Sequence, residues 1–454
     1  MAQVMDMTRG KPTKLMITFA FPVILTNLGQ QIYQIVDAAI VGRGVGVDAL
    51  AAVGCTDWIY WMILWSMQVM TGGFAIFVSR FLGSQEYEKM NRSIVISSVL
   101  SAVIALLLTV IGLLLTEPLL RMLGTPDNIL DNAVSYLSTM IAGTLIVTAY
   151  NLAAAVLRAF GDSKSPLFAM IIAALLNIVL DLLFVLVFHW GVLGAALASI
   201  LSQLVAFIYC IIKIFRISYV KIDKAALMWD KKLAKDILAT GLPLAVQYII
   251  VHAGGMIVQS TINTQGSSFI AGYTAVNKLY GMLECTAISL GTAYTTFTAQ
   301  NYGAGYFRRV RQGVTKSIFL AIGAALILIA ALLPLNRVLP QLFIDVSEPG
   351  AMEAIDVASH YLVNMILSLP ILYLVYVHRN SLQSIGISMW SLISGIFETV
   401  IRVLFSKVLF VWWGTEVLFF AEPVAWLMAW LFALFPYYYY QKRRLKIEED
   451  KETQ

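Results

Sequence analysis

The chain has 454 residues, of which 59% are hydrophobic and 13% are charged, and its formal net charge is +5. Soluble domains carry about 25% charged residues, so the low charge and a mean hydropathy of +0.80 exclude a soluble protein of this length. The basic balance is attributed to membrane topology, and no nucleic-acid partner is expected.

About twelve apolar stretches follow one another along the chain, each long enough to cross a bilayer, which takes about 20 residues of helix. Their approximate limits are 15–41, 52–82, 94–116, 130–157, 166–188 and 192–215 in the first half, and 237–263, 270–302, 314–336, 352–377, 388–412 and 417–440 in the second. Several exceed 25 residues, which indicates tilted or bent helices rather than additional spans. The sequence therefore predicts an all-α integral membrane protein embedded in the lipid bilayer.

The distribution of Lys and Arg residues predicts the orientation of these spans. With the N-terminus in the cytoplasm, most of the 31 Lys and Arg residues fall on cytoplasmic segments, and Arg379 is assigned to one of them. Both termini are therefore predicted to be cytoplasmic. The predicted domains are an N-lobe at 1–215, a cytoplasmic linker at 216–236, a C-lobe at 237–440 and a charged cytoplasmic tail at 441–454.

The two halves show a weak internal repeat. Gly83 and Gly303 each end a long even-numbered helix at a shift of 220 residues, and Gly161 and Gly386 correspond at a shift of 225. Six spans per half give both halves the same orientation in the membrane, and such halves commonly rock about a central site. This pattern favours a secondary transporter over a channel.

Two carboxylates lie inside apolar stretches, Asp37 in the first and Asp181 in the fifth. An ionised side chain at the centre of a transmembrane helix costs at least about 2.5 kcal/mol, so such residues usually face a wet cavity, a partner or an ion. Asn177 lies one turn before Asp181 on the same helical face, and Gln30 lies two turns before Asp37. These groups suit a proton site or an oxygen cage for Na⁺, and the sequence leaves both open beside a purely structural role.

The second half lacks these carboxylates but carries Lys278, Glu284, Glu398, Arg402 and Lys407 within its spans. Glu398 and Arg402 are one turn apart, which favours a structural ion pair. Glu284 either lines a central cavity or has a structural role, and Lys278 points to a different face of the same helix. Ion coupling is therefore predicted to belong to the first half.

Several short segments, in a fixed order, resemble one family of transporters. They are Phe21-Pro22 with Gln30, Val36–Gly42, Leu157–Asp162, Asn177-x3-Asp181 and Glu398-x3-Arg402. The chain resembles the multidrug and toxic compound extrusion (MATE) family, in its prokaryotic DNA-damage-inducible-F-like branch, over about residues 10–440. The resemblance implies two pseudo-symmetric six-helix bundles arranged as a V, in a monomer of the bacterial cytoplasmic membrane.

The resemblance also implies a set of site residues. In similar proteins an ion pocket in the first half uses an aspartate, an Asn/Asp pair and a hydroxyl, which correspond here to Asp37, Asn177, Asp181 and Ser199. A threonine is common where this chain has Ser199. Gln30 and Tyr136 correspond to neighbours of the pocket, and the first helix is expected to bend near Pro22 during transport. If the ion is Na⁺, its ligands would be Asp37, Asn177 and Asp181.

These observations predict an antiporter that exports cationic or amphipathic small molecules in exchange for H⁺ or Na⁺, without another cofactor. The alternative is a flippase for lipid-linked oligosaccharides or other lipids, whose cavity should carry several Arg or Lys residues to bind a pyrophosphate. Four acidic residues counted within spans, Asp37, Asp181, Glu284 and Glu398, outnumber the basic ones and favour cationic cargo. An enzyme is not expected, because the chain has no His-Glu-x-x-His motif and no phosphate-binding loop.

Overall fold

Helices provide the regular structure in the computed structural model, which describes residues 5–441 and residue 443. No strand occurs among those residues, so the predicted all-α class is confirmed. The helices of the first half are α1 (Pro12–Gly44), α2 (Val47–Gly83), α3 (Tyr87–Met122), α4 (Asp127–Ala142), α5 (Thr144–Ala159), α6 (Lys164–Asp181) and α7 (Gly191–Phe215). Those of the second half are α8 (Lys231–Ile262), α9 (Ser267–Gly303), α10 (Phe307–Leu332), α11 (Ala351–Leu367), α12 (Leu369–Ser384), α13 (Ser388–Val403), α14 (Phe410–Trp413) and α15 (Leu418–Pro436). Most of the charged tail predicted at 441–454 lies outside the described residues.

The membrane spans are continuous, bent or interrupted helices. Within the described residues, eight helical stretches are long and apolar enough to cross a membrane, and two bent helix pairs raise the number to ten. The stretch Ser388–Tyr439 is one of the eight, although Gly414, with φ of 66°, and a 3-10 turn divide it into two helices. The 37 residues of α9 are also long enough to span, but this helix carries many polar side chains. Counting Ser388–Tyr439 as two spans and adding α9 raises the number from ten to twelve, which equals the number of apolar stretches in the sequence.

The internal repeat extends to the irregularities of the helices. α4 meets α5 at 45°, and α11 meets α12 at 45°, so the fourth segment of each half is bent. Directly after α6 and α13 the backbone widens into a π-helix, at Leu182–Val187 and Leu404–Leu409. Gly161 and Gly386 both have φ of 82°, a left-handed conformation that favours glycine. The two halves therefore share local backbone geometry despite sparse sequence identity.

The chain forms two compact units. Unit 1 consists of Met1–Arg9 and Thr18–Ala245, and unit 2 consists of Gly10–Ile17 and Val246–Gln454, as far as these residues are described. The boundaries run through α1 and α8, because each of these long helices contributes to both units. The segment 216–236, predicted as a linker between lobes, belongs to unit 1.

Small side chains on α7 allow the helices of unit 1 to pack closely around the region of Asp181. A Cβ atom on Gly194 would lie 3.0 Å from the Cβ of Phe184, so α7 packs directly on the π-helix that follows α6. An apolar cluster joins α1, α2, α4 and α7, and its buried members include Val41, Ala49, Tyr136, Met140 and Ala195. These contacts bring the last turns of α1 and the π-helix after α6 together with the first turns of α7.

Two glycines allow the start of α8 to contact α2 within unit 1. A Cβ atom at Gly73 would lie 2.9 Å from the Cα of Gly241, and one at Gly241 would lie 2.5 Å from the Phe74 ring. A Cβ at the neighbouring Gly72 would meet no atom within 4 Å. The close approach of the two helices therefore depends on Gly73 and Gly241.

We expect Gly73→Ala to lower the free energy of unfolding by about 1–3 kcal/mol, because the added methyl group must displace the backbone of α8. Gly72→Ala is the matched control on the same helix, and it should be neutral or gain up to about 1 kcal/mol from helix propensity. Thermal unfolding of the purified protein in detergent measures both. Equal melting temperatures for the two variants would contradict the close helix contact.

Candidate functional site

Asp37 and Asp181 lie next to each other in unit 1, although they belong to α1 and α6. Asp181 is fully buried and is the last residue of α6 before the π-helix. Asp37 is half-buried, and its Oδ1 atom is enclosed. Among the described residues no Lys, Arg or His neighbours either carboxylate. The two acidic groups therefore share one site without a protein cation.

Asn177 connects this carboxylate pair to α7. Its side chain is 1% exposed, and its Nδ2 donates a hydrogen bond of 3.3 Å to Ser199 Oγ. With Nδ2 directed at Ser199, the Oδ1 atom of Asn177 has no hydrogen-bond partner within the protein. The spacing of one turn places Asn177 and Asp181 on the same face of α6. The structure thus brings together Asp37, Asn177, Asp181 and Ser199.

Five buried oxygen atoms in this part of unit 1 have no hydrogen-bond partner in the protein. They are Asp37 Oδ1, Asn177 Oδ1, Gln203 Oε1 and both carboxylate oxygens of Asp181. Buried polar atoms in proteins are nearly always hydrogen-bonded, so such a group of acceptors is unusual. Carboxylate and amide oxygens are also the ligands that hard cations prefer. The donor set therefore fits Na⁺, and the adjacent carboxylates equally fit a shared proton.

A cavity of about 330 Å³, including its open mouth, adjoins these oxygens at Asn177. It is lined by Gln30, Tyr33, Tyr150, Met170, Ala173, Ala174, Asn177, Ser199, Ser202 and Gln203. Asp37 and Asp181 are not among the lining residues. Tyr136, predicted as a neighbour, lies in the apolar cluster near Asp37 rather than at the cavity wall. The carboxylate pair therefore lies beside this polar cavity and does not form part of its lining.

Two residues of this site were not assigned to it from the sequence. Gln203 lies one turn after Ser199 on α7, and Tyr33 lies one turn before Asp37 on α1. The Tyr33 side chain lies next to Ser199 and Gln203. The helical spacing of four residues from each predicted site residue is the signal that points to them.

The arrangement favours the exchange of a single positive charge. Two adjacent carboxylates in a site of low polarity cannot both remain ionised without a cation, because their repulsion adds to the cost of burial. A proton on one of them, or a Na⁺ between them, removes that repulsion. In the described residues no group of three or more His, Cys, Asp or Glu that could hold a metal ion lies together.

In unit 2 four buried charged side chains neutralise one another. Arg379 Nη2 on α12 lies 2.6 Å from Glu398 Oε2, and Arg402 Nη2 lies 2.9 Å from Glu398 Oε1. Arg402 Nη2 also lies 2.6 Å from Glu422 Oε2 on α15. Two arginines and two glutamates thus form one buried network on three helices. The structure joins Glu398 and Arg402 in an ion pair, within a larger set.

The network corrects two statements made from the sequence. Arg379, which was assigned from the sequence to a cytoplasmic connection, instead lies within α12, where its side chain is 8% exposed and pairs with Glu398. The count of four acidic residues within spans omitted Glu422, which lies in α15 and pairs with Arg402. It also omitted residues that lie inside the stated limits of other stretches, namely Asp57, Asp131, Glu353 and Asp356. Hydropathy alone did not show that distant charges compensate each other.

Glu284 and Lys278 lie on α9 but have different surroundings. The Tyr376 hydroxyl donates a hydrogen bond of 2.8 Å to Glu284 Oε1. Tyr280 also lies beside the Glu284 carboxylate. Lys278 is exposed on another face of the helix, as its spacing from Glu284 predicts. The structure therefore holds Glu284 among tyrosine hydroxyls.

Comparison with known proteins gives a consistent result. The MatE family profile matches residues 22–183 and 243–408, which is most of the chain. The chain is 31% identical to the probable multidrug resistance protein YpnP of Bacillus subtilis, over 67% of this chain and 68% of that protein. It is 28% identical to the probable multidrug resistance protein YoeA of the same organism, over 71% of this chain and 72% of YoeA.

Solved structures show the same fold. A structure described as "Crystal structure of MATE in the bent conformation" superposes with a TM-score of 0.89 at 22% sequence identity. The match covers 99% of this chain and 98% of that one. The similarity therefore extends over both halves of the chain.

We expect Glu398→Gln to destabilise the protein by about 3 kcal/mol or more, because it removes the carboxylate that pairs with Arg379 and leaves Glu422 to pair with Arg402. Arg379→Gln combined with Glu398→Gln restores charge balance and should recover part of the loss. Lys407→Gln is the control, since this exposed lysine donates only to Ser260 Oγ. Thermal unfolding in detergent compares the variants, and a Glu398→Gln protein as stable as Lys407→Gln would contradict the network's structural role.

Proposed function

Because the chain belongs to the multidrug and toxic compound extrusion family, whose members are transporters, we propose that it is a secondary antiporter. In this proposal it exports cationic or amphipathic small molecules in exchange for H⁺ or Na⁺. The observation that carries the proposal is the pair of adjacent carboxylates, Asp37 and Asp181, with no cation from the protein beside them.

The proposed coupling follows from charge compensation. When a proton binds one of Asp37 and Asp181, or a Na⁺ binds between them, the repulsion between the two carboxylates is removed. When the ion leaves toward the cytoplasm, the repulsion returns and favours a different conformation or a cationic substrate. An ion can drive transport only through such a difference in affinity between conformations. Alternating access between two halves is the usual way in which transporters use this difference.

The proposed cargo follows from the lining of the cavity and from the relatives. The ten lining residues in the described part of unit 1 are neutral, and the adjoining carboxylate pair is acidic. Both reported relatives are named probable multidrug resistance proteins. A neutral, partly aromatic wall beside negative charge suits flat organic cations better than anions.

The flippase alternative has less support. A pyrophosphate headgroup requires several Arg or Lys side chains, and the lining residues of the unit 1 cavity include neither. The buried arginines of unit 2 are already paired with glutamates. The proposed location is the bacterial cytoplasmic membrane, which agrees with the bacterial relatives, and the proposed active form is a monomer.

We expect Asp37→Asn and Asp181→Asn each to lower ion-driven export at least about 100-fold, since removing one carboxylate abolishes the charge difference that the ion would compensate. The measurement is ethidium export from proteoliposomes under an imposed pH gradient and, separately, an imposed Na⁺ gradient. The gradient that drives export identifies the coupling ion. Asp131→Asn, an exposed aspartate on α4 of the same unit, is the matched control and should retain activity.

Full export by both site variants would refute the assignment of the ion site. Loss of export in the Asp131→Asn control as well would show that the assay reports protein quality rather than coupling. If neither the pH gradient nor the Na⁺ gradient drives ethidium export by the unmodified protein, ethidium-like cations are rejected as cargo and the lipid flippase becomes the better proposal.

Pro22 provides a mechanical test of the same proposal. It lies within the continuous helix α1, 15 residues or about 22 Å before Asp37. As a proline it cannot donate a hydrogen bond to the carbonyl of Thr18, and its own carbonyl accepts a bond of 2.8 Å from Thr26 Oγ1. This local weakness makes α1 easier to bend at Pro22 than elsewhere.

We expect Pro22→Ala to slow ethidium export roughly tenfold, while leaving the melting temperature unchanged or higher, because the alanine restores the helical hydrogen bond. Pro118→Ala is the matched control, since this proline also lies within a helix of unit 1 but its side chain is exposed. The measurement is the initial rate of ethidium export, compared between the two variants at equal amounts of reconstituted protein. Equal rates for Pro22→Ala and Pro118→Ala would exclude bending at Pro22 from the cycle.

A further inference from the structure

The segment between α7 and α8 is attached to the start of α3 by specific contacts. Asn91 Nδ2 donates to the carbonyl of Tyr219 at 3.1 Å, and Arg92 Nε donates to the carbonyl of Ala225 at 3.2 Å. The rings of Tyr87 and Tyr219 stack with centroids 4.7 Å apart. All of these residues belong to unit 1. The segment therefore has a defined inner side and a defined outer side.

The outer side is more apolar than a cytoplasmic connection requires. On the inner side Ile217, Val220 and Ala226 are buried. Three consecutive residues on the outer side, Leu227, Met228 and Trp229, are 62%, 62% and 51% exposed. A run of three exposed apolar residues outside a membrane span indicates an interaction surface rather than ordinary solvent exposure.

Lysines flank this apolar run on both sides. The exposed basic residues are Lys221, Lys224, Lys231, Lys232 and Lys235. Two neighbouring aspartates accept hydrogen bonds from the backbone. Asp223 Oδ1 accepts from Ala226 N at 2.9 Å, and Asp230 Oδ1 accepts from Leu233 N at 3.0 Å. These carboxylates are directed toward the chain, and the lysines remain on the outer side.

The position of the segment limits what it can meet. It begins directly after Phe215, the last residue of the spanning helix α7, whose side chain is 61% exposed. It is also fixed to Asn91 and Arg92 near the first turns of α3, where another span begins. Both contacts place it at the level where spans leave the hydrocarbon. Tryptophan and lysine are the residues that favour this level, and lysines are attracted to anionic lipids.

We propose that residues 219–235 form a binding surface for the anionic phospholipids of the cytoplasmic leaflet, which we call the interfacial surface. Leu227, Met228 and Trp229 enter the headgroup layer, and the flanking lysines contact lipid phosphates. An apolar run flanked by lysines suits a lipid leaflet better than a nucleic acid, because a nucleic acid would bind the lysines but would not bury the apolar side chains. This surface is distinct from the cavity and the carboxylate pair of unit 1.

The test uses the full chain in nanodiscs, with a fluorophore attached at Met228→Cys after Cys55, Cys210 and Cys285 are replaced by alanine. The quenchers are phosphatidylglycerol and phosphatidylcholine that carry the same nitroxide at the same acyl position. At equal mole fraction we expect phosphatidylglycerol to quench at least about threefold more strongly, because each nearby lysine favours anionic lipid by about fivefold. Changing Lys221, Lys224, Lys231, Lys232 and Lys235 together to Gln should abolish this preference.

Lys164→Gln is the matched control, since Lys164 is an exposed lysine of unit 1 outside the interfacial surface, and it should leave the preference intact. Equal quenching by the two lipids in the protein with all its lysines would overturn the anionic selectivity. No quenching by either lipid would overturn membrane contact and show that water or protein covers the surface. A second label at Leu227→Cys repeats the measurement if the first variant is not monodisperse. Neither result depends on transport, so the outcome is independent of the proposed antiport.

Discussion

A charge inside the membrane must be compensated, and the two units of this protein meet that requirement in opposite ways. In unit 2, Arg379 and Arg402 are paired with Glu398 and Glu422, so no net charge remains in the network. In unit 1, Asp37 and Asp181 lie together with no basic partner among the described residues. Arginines of the protein itself compensate the carboxylates of unit 2, whereas in the proposed function a small cation compensates the pair in unit 1.

The two halves differ in how their charges are compensated although they share local backbone geometry. Both halves bend their fourth segment by 45° and continue their fifth into a π-helix. Helices widened in this way often occur at functional sites, and Asp181 ends α6 just before the first of them. The corresponding region of unit 2 carries Arg402 and Ser406 instead. One architecture therefore carries an uncompensated carboxylate pair in unit 1 and a charge-balanced network in unit 2.

The proposed site and the interfacial surface use two levels of the same unit. The carboxylates and Asn177 lie within the spans, and the lysines and Trp229 lie where the spans end. The start of α8 follows the interfacial surface in the chain and contacts α2 through Gly241 and Gly73.

The sequence by itself determined the all-α class, the succession of spans and the face shared by Asn177 and Asp181, because hydropathy and helical spacing are local properties. Only the tertiary structure decided that Asp37 meets Asp181, that Gln203 and Tyr33 join the cavity, and that Arg379 and Glu422 complete a buried network. These contacts join helices far apart in the chain, and their partners depend on packing and on how each helix is rotated. A pattern along one segment shows neither how that helix packs nor how it is rotated. Charge compensation in a membrane therefore becomes visible only when the helices are assembled.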